Sequence, residues 1–318
     1  MNILYTADEL SEERRNDYKE KGINIIKAPG NLKEDELIEM LKKCDGYIVG
    51  GDEYVSSKII EATQENLKVI CFLGTGYQNY IDLESVKKSK VPFCYTPKAN
   101  ARAVAEFTIL LMMTGLKELY YNDDQPYYKQ NRSYNLEKRV VGLIGMGSVG
   151  NIVAKILRQT FDVKVLYYSR HRKYLIEDIL GVEYRDLENL LRESDIVSLH
   201  IPLTESTKEM IDSSCFNLMK KESFLINTSR ANIVKEKDLC EALKNNAIRS
   251  ALFDGFYEEP LTKEKAQKHE ILKLPKNKFV LTPHNAYNTI DSLISMEDMA
   301  IDNCVRIINN KYCQNLIF

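Results

Sequence analysis

Short apolar runs alternate along this chain with stretches whose apolar residues recur every three or four positions. The runs Asn2–Tyr5, Ile23–Ile26, Gly46–Val49, Val69–Phe72 and Phe93–Tyr95 read as strands, and Glu34–Lys43 and Ser57–Gln64 between them read as helices. A long helical stretch follows from Ala101 to about Tyr121, then a polar, tyrosine-rich connection, NDDQPYYKQNRSYN. The alternation then resumes. Strands are expected at Val140–Ile144, Val163–Tyr167, Ile196–His200, Ser223–Asn227, Ser250–Phe253 and Phe279–Leu281. Helices are expected at Leu190–Glu193, Glu236–Lys244 and Asp291–Asn309. Nearly continuous apolar strands separated by helices predict parallel sheets covered on both faces. Two α/β units result, residues 1–97 and 98–289, with a terminal helix that the pattern alone assigns to neither.

Bulk properties narrow the partners. The 318 residues leave room for two domains, and a hydrophobic fraction of 44% is ordinary for a globular protein. A net charge of −2, with no broad basic face, argues against nucleic acid. The longest apolar run, Phe107–Met113, is too short to span a bilayer, and the N-terminus shows no signal-peptide pattern. Seven cysteines, none in metal-ligand or CxxC spacing, argue against a metal site and a full disulfide framework, so a reducing, cytoplasmic home is expected.

The first chemical signal is GMGSVG, Gly145–Gly150, between an apolar strand and the helix-like NIVAKILRQ. In that context Gly145 makes the tight turn, Gly147 admits a pyrophosphate, and Gly150 allows helix and strand to pack closely. The helix N-terminus offers free N–H groups to phosphates. About twenty residues on, a dinucleotide site usually places an acid that grips the ribose 2′-hydroxyl. This chain instead has YYSRHRK, Tyr167–Lys173. A carboxylate there would repel a 2′-phosphate, whereas Ser169 can hydrogen-bond one and Arg170 can bind it through two charge-assisted bonds. Arg172 or Lys173 can add charge. NADP(H) is therefore the expected cofactor, with NAD(H) the alternative.

Three segments lie at or just beyond expected strand ends: INTSRAN (Ile226–Asn232), FDGFYEEP (Phe253–Pro260) and LTPHNA (Leu281–Ala286). Ligands of parallel sheets bind outside the carboxyl ends of the strands, so Arg230, Glu259 and His284 can converge. Reducing a 2-keto acid needs a forked cation for the carboxylate and carbonyl, a proton donor, and a group that keeps the donor charged. Arg230, His284 and Glu259 suit these tasks in that order. Each residue alone reads more simply as surface or structural; the shared context strengthens the set.

Over nearly its whole length the chain resembles the D-isomer-specific 2-hydroxyacid dehydrogenases. The motifs are GTGYQNYID (Gly74–Asp82), NARAVAEFTILLM (Asn100–Met112), GLIGMGSVG, SLHIPLTEST (Ser198–Thr207), LINTSRANIVKEKDL (Leu225–Leu239), ALFDGFYEEP and LTPHNA. The NADP-preferring glyoxylate and hydroxypyruvate reductase branches are the most similar. The resemblance implies flavodoxin-like and Rossmann domains, both doubly wound, with an interdomain cleft. The substrate domain would be residues 1–97 plus 290–318, and the cofactor domain 98–289. It further implies that Arg230, Glu259 and His284 are catalytic and that Thr75 and Gly76 hold the substrate carboxylate with Arg230. Ser148 and Val149 would belong to the pyrophosphate turn, and Ile201, Pro202 and Thr207 to the adenosine-side wall. Thr228 and Asp254 would lie near the nicotinamide, with Asp254 on the carboxamide. A homodimer is implied, with the helix near Ala101–Tyr121 at its interface. Departures from the family pattern are Ala231 for the usual Gly, Gly255 for the usual Val, and NAYNT (Asn285–Thr289) after His284. The expected substrate is glyoxylate, hydroxypyruvate or a pyruvate-like acid. Larger branched or aromatic 2-keto acids, or a non-catalytic NAD(P)-sensing role, are the alternatives.

Overall fold

The computed structural model describes residues 1–7, 10–51, 53–119 and 132–318. In chain order the elements are β1 (Asn2–Tyr5), α1 (Glu12–Glu20), β2 (Asn24–Lys27), α2 (Glu34–Leu41), β3 (Gly46–Val49), α3 (Ser57–Thr63), β4 (Val69–Phe72), α4 (Leu83–Ser89) and β5 (Phe93–Tyr95). They continue with α5 (Ala101–Lys117), β6 (Val140–Ile144), α6 (Ser148–Phe161), β7 (Lys164–Tyr168), α7 (Tyr174–Leu180), β8 (Glu183–Tyr184), α8 (Leu187–Glu193), β9 (Ile196–Leu199) and α9 (Ser213–Leu218). The last are β10 (Phe224–Asn227), α10 (Glu236–Lys244), β11 (Ser250–Asp254), α11 (Lys263–Ala266), β12 (Phe279–Thr282) and α12 (Ile290–Ile308). The chain divides into two compact units, Met1–Asn100 with Thr289–Phe318, and Ala101–Asn288.

The first unit is a parallel five-stranded sheet in the order β2-β1-β3-β4-β5. β3 and β4 are buried along their length, which is why GYIV and VICF read as unbroken apolar runs. Side chains alternate between faces. One face packs Tyr47, Val49 and Ile70 with Leu37, Ile38 and Ile60 of α2 and α3. The other packs Ile48, Val69 and Cys71 with Ala300, Ile301 and Cys304 of α12. The C-terminal segment then runs antiparallel along β5, the Ile317 N–H donating to the Phe93 carbonyl at 2.8 Å. α1 buries no residue, so hydrophobic periodicity misses it. It is held by the Ser11 cap and by Arg14 and Tyr18, which bind Asp298 of α12.

The second unit is a parallel seven-stranded sheet in the order β12-β11-β10-β9-β6-β7-β8. Two apolar layers cover it, one including Leu199, Leu225 and Phe253, the other including Leu143, Val153 and Leu157. α5 packs against α6 and β10. The strand order reverses between β6 and β9, which places a crevice at their carboxyl ends. α5 ends at Lys117 rather than near Tyr121, and residues 120–131, most of the tyrosine-rich connection, lie outside the described residues. Other element limits move by up to three residues from the pattern, and the two-residue β8 has no apolar run to announce it.

Candidate active site

The GMGSVG turn joins β6 to α6. Gly145 adopts φ +107°, and a Cβ there would overlap the His200 carbonyl. A Cβ on Gly150 would overlap the Gly145 carbonyl, so α6 and the turn meet backbone to backbone. Around Gly147, by contrast, the space is open. Gly147 is the N-cap of α6, and no side chain caps the helix. The N–H groups of the first turn, including Ser148 and Val149, are therefore available to an anion, and the cradle fits a pyrophosphate.

At the end of β7, the Ser169 hydroxyl donates to the His171 carbonyl at 2.7 Å, folding the basic loop on itself. Arg172 binds the Glu177 carboxylate through three bonds, 2.9, 3.3 and 2.7 Å, and Glu177 also accepts from Tyr167. Arg172 is thus already paired. Arg170 is exposed and makes no hydrogen bond or ion pair with any described residue. Beyond β9, the Thr207 hydroxyl donates to the Pro202 carbonyl at 2.6 Å and accepts from the Thr204 N–H, closing the loop that begins at Ile201. His200 lies beside that loop with Nε2 3.0 Å from the Ser198 hydroxyl, and burial pushes its ring down to about 3, leaving it neutral.

The three catalytic candidates converge. His284 Nδ1 lies 2.9 Å from Glu259 Oε2, while Nε2 faces Arg230 Nη1 at 3.5 Å. Glu259 Oε1 accepts from the Phe256 N–H at 3.0 Å. Burial pushes the Glu259 carboxyl up, but the His284 hydrogen bond and charge, the Phe256 N–H and Arg230 together bring it below its ordinary value. The carboxylate is therefore ionised at neutral pH and fixes Nδ1–H, leaving Nε2 turned toward Arg230. The guanidinium is anchored by a 2.8 Å bond to the Ser229 carbonyl. Asn227 shapes this loop, accepting from the Ser229 N–H and donating to the Arg230 carbonyl. Ala231 has no positive φ, so the Cβ that replaces the usual glycine is accommodated.

The supporting residues are less visible in sequence. The Thr228 hydroxyl lies 2.8 Å from that of Thr108 on α5, and Thr108 donates to the Val104 carbonyl. Thr228 must then donate to Thr108, leaving its own oxygen to accept from a ligand N–H. Asp254 is 3% exposed, and its carboxylate accepts from the Thr282 hydroxyl at 2.6 Å and from the Asn285 and Ala286 N–H groups at 2.8 and 2.7 Å. It thus clamps the loop carrying His284. The Tyr287 ring meets His284 edge-on at 5.9 Å. No group of His, Cys, Asp or Glu that could hold a metal occurs among the described residues.

In the first unit, Thr75 and Gly76 follow β4. Gly74 takes φ +140°, its N–H donating to the Thr96 hydroxyl at 2.7 Å. The Thr75 and Gly76 N–H groups bond no described residue, which suits an anion. Tyr77 packs edge-on against Phe93 and Tyr95 and so serves that unit's core. Tyr54 is exposed.

A family model described as the NAD binding domain of D-isomer specific 2-hydroxyacid dehydrogenases matches residues 108–286. The chain belongs to this family. A glyoxylate reductase from Aeropyrum pernix is 35% identical to this dehydrogenase over 263 residues, 79% of this chain and 76% of that protein. Another from Thermofilum pendens is 32% identical over 289 residues, 87% of this chain and 82% of that protein. In three dimensions, D-lactate dehydrogenase with NAD+ from Lactobacillus jensenii matches with a TM-score of 0.86 at 25% identity, over the full length of both chains. This dehydrogenase therefore uses a nicotinamide cofactor.

Proposed function

We propose that this dehydrogenase reduces a small 2-keto acid, such as glyoxylate, hydroxypyruvate or a pyruvate-like compound, to the D-2-hydroxy acid, and favours NADP(H) over NAD(H). The observation that carries the reaction is the array in which His284 stands between Glu259, at 2.9 Å, and Arg230, at 3.5 Å. The bound nicotinamide supplies the hydride. Arg230 holds the substrate carboxylate and polarises the carbonyl. His284 delivers its Nε2 proton to the carbonyl oxygen, and Glu259 stabilises the charged ring before transfer. Thr75 and Gly76 hold the carboxylate through backbone N–H groups, making the first unit the substrate-binding one. The second unit binds the cofactor through the Gly145–Gly150 turn, with Ile201, Pro202 and Thr207 along the adenosine. Thr228 accepts from the carboxamide, and Asp254 borders it while holding the His284 loop. The small-substrate reading draws on the two glyoxylate reductase relatives. The assembly proposed is a homodimer through α5.

Support for NADP(H) comes from the end of β7, where Ser169 and Arg170 stand in place of an acid and the nearby Glu177 is neutralised by Arg172. Turnover of a 2-keto acid panel, followed at 340 nm with NADPH and NADH side by side, tests both parts. NADPH with glyoxylate or hydroxypyruvate should give the highest kcat/KM, and S169D/R170A should reverse the cofactor preference. Turnover confined to branched or aromatic acids would remove the small-substrate reading. Tight NADPH binding without turnover would make the protein a cofactor sensor, and an unmoved NADPH/NADH ratio in the double variant would remove the cofactor assignment.

A further inference from the structure

Four of the seven cysteines meet in the first unit. Cys71 of β4 and Cys94 of β5 are paired across the parallel ladder, so their side chains share the face that α12 covers. Cys304 comes from α12 itself, and Cys313 from the segment that follows it and runs back along β5, where Leu316 bridges to Cys94. The thiols hydrogen-bond in series, Cys304 to Cys71, Cys71 to Cys94 and Cys94 to Cys313. They do not form a group that could hold a metal ion.

Burial alone would make all four inert, small apolar side chains. Cys71, Cys94 and Cys304 are 0% exposed, whereas Cys313 is 6% exposed and stands between the exposed Tyr312 and Gln314 near the end of the chain. Its sulfur lies 3.3 Å from the Asn303 side-chain oxygen, which also accepts from the Asn315 side-chain amide at 3.0 Å. The Cys94 hydrogen bond, with the Asn315 backbone N–H, brings the Cys313 thiol down to about 6 against burial, Cys71 and Asp302. Hydrogen bonds to Cys313 and Cys71, together with burial, push Cys94 up, so a thiolate stands beside a retained thiol.

We propose that Cys313 and Cys94 are a peroxide-modified pair whose disulfide fastens the C-terminal segment to β5. The Cys313 thiolate attacks one oxygen of hydrogen peroxide and the O–O bond breaks. Cys313 becomes a sulfenic acid, and the other oxygen leaves as hydroxide and takes up a proton to form water. The Cys94 thiol then attacks the sulfenic sulfur, forming the S–S bond and releasing a second water. The two thiols are oxidised by two electrons, and the peroxide is reduced to two waters. None of the groups proposed for hydride transfer takes part, so this inference stands or falls apart from that function.

The test treats the whole protein with hydrogen peroxide, blocks the remaining thiols and identifies tryptic peptides without reduction. Cleavage after Lys90, Lys98 and Lys311 places the pair in VPFCYTPK and YCQNLIF. These two peptides should appear joined, separate on adding dithiothreitol, and never appear joined in C94S or C313S. In C94S, oxidation should stop at Cys313, where dimedone captures the sulfenic acid. C71S/C304S should still give the joined pair. In the untreated native protein, iodoacetamide should label Cys313 at least about 10-fold faster than Cys71, Cys94 or Cys304. A Cys71–Cys304 link as the main product, oxidation confined to other cysteines, or joined peptides only after denaturation overturns the proposal. If C94S or C313S does not fold, the wild-type peptides and labelling rates decide. Joined peptides with Cys313 labelled fastest support the pair, and equal rates at all four cysteines overturn it.

Discussion

His284, the proposed general acid, has a backbone geometry that histidine seldom adopts, with φ +57° and its N–H donating to the Thr282 carbonyl two residues back. Such a conformation persists only where its surroundings over-determine it, and here three bonds to the Asp254 carboxylate do so. Replacing His284 by Ala should lower kcat by about 10²–10⁴-fold, the usual weight of a general acid, with NADPH affinity nearly unchanged by fluorescence titration. Near-normal turnover would contradict the role. Asp254→Asn should act differently: an amide cannot accept on both sides, so one of the Asn285 and Ala286 N–H groups loses its partner. Its kcat should fall while the pH limbs stay in place, because the Glu259–His284 contact survives. Arg230, Glu259 and His284 were legible in the sequence because each carries a distinct chemistry just past an apolar run. Thr108 was not, since its importance depends on a hydroxyl 120 positions away, and a threonine inside a helix carries no signal of that partner. The pairing of Arg172 with Glu177 was equally hidden, because a run of basic residues does not say which of them is already neutralised.

Among the elements, α6 shows two glycines of one motif doing different work. A Cβ on Gly150 overlaps the Gly145 carbonyl, whereas around Gly147 nothing lies within 4 Å. Gly150→Ala should therefore strain the packing of helix on strand, lower the melting temperature by the equivalent of about 1–3 kcal/mol, and weaken NADPH binding. Gly147→Ala should leave melting almost unchanged yet weaken NADPH binding comparably, because its methyl group enters the space a phosphate must use. Melting curves and NADPH titrations of both variants check this, and equal melting losses would refute the division of labour. The strand–turn–helix of this motif could be read from the sequence because apolar periodicity and glycine spacing agreed. α1 could not, because its contribution is polar: Ser11 caps it and Arg14 and Tyr18 reach Asp298 from a chain position nearly three hundred residues earlier. Periodicity reports only the faces that are buried in apolar surroundings.

At the scale of the molecule, the chain leaves its first unit at Asn100 and rejoins it at Thr289. The amphipathic pattern of α12 announced a helix that covers a sheet, but nothing in a helix's own periodicity names the sheet, so only family resemblance indicated its return. The structure packs Ala300, Ile301 and Cys304 over Ile48, Val69 and Cys71 of the first unit. Burying Ile301 alone is worth about 1.5–3 kcal/mol, and α12 also supplies Asp298 to α1 and the Asn303 side-chain bond to the Tyr95 carbonyl. A chain ending at Asn288 would uncover most of one face of the β2-β1-β3-β4-β5 sheet, with only Leu10 and the partly buried Tyr18 of α1 left over it, an exposure that a marginally stable unit of this size does not survive. The second unit would lose none of its own strands or helices, since both of its apolar layers are built from residues between Ala101 and Asn288. Limited trypsin digestion of the truncated protein should therefore destroy residues 1–100 and spare a fragment of about residues 101–288. That fragment should still bind NADPH while turnover is lost. A protease-resistant first unit in the truncated chain would show that the sheet stands without α12, and loss of both units together would show that the second depends on the first.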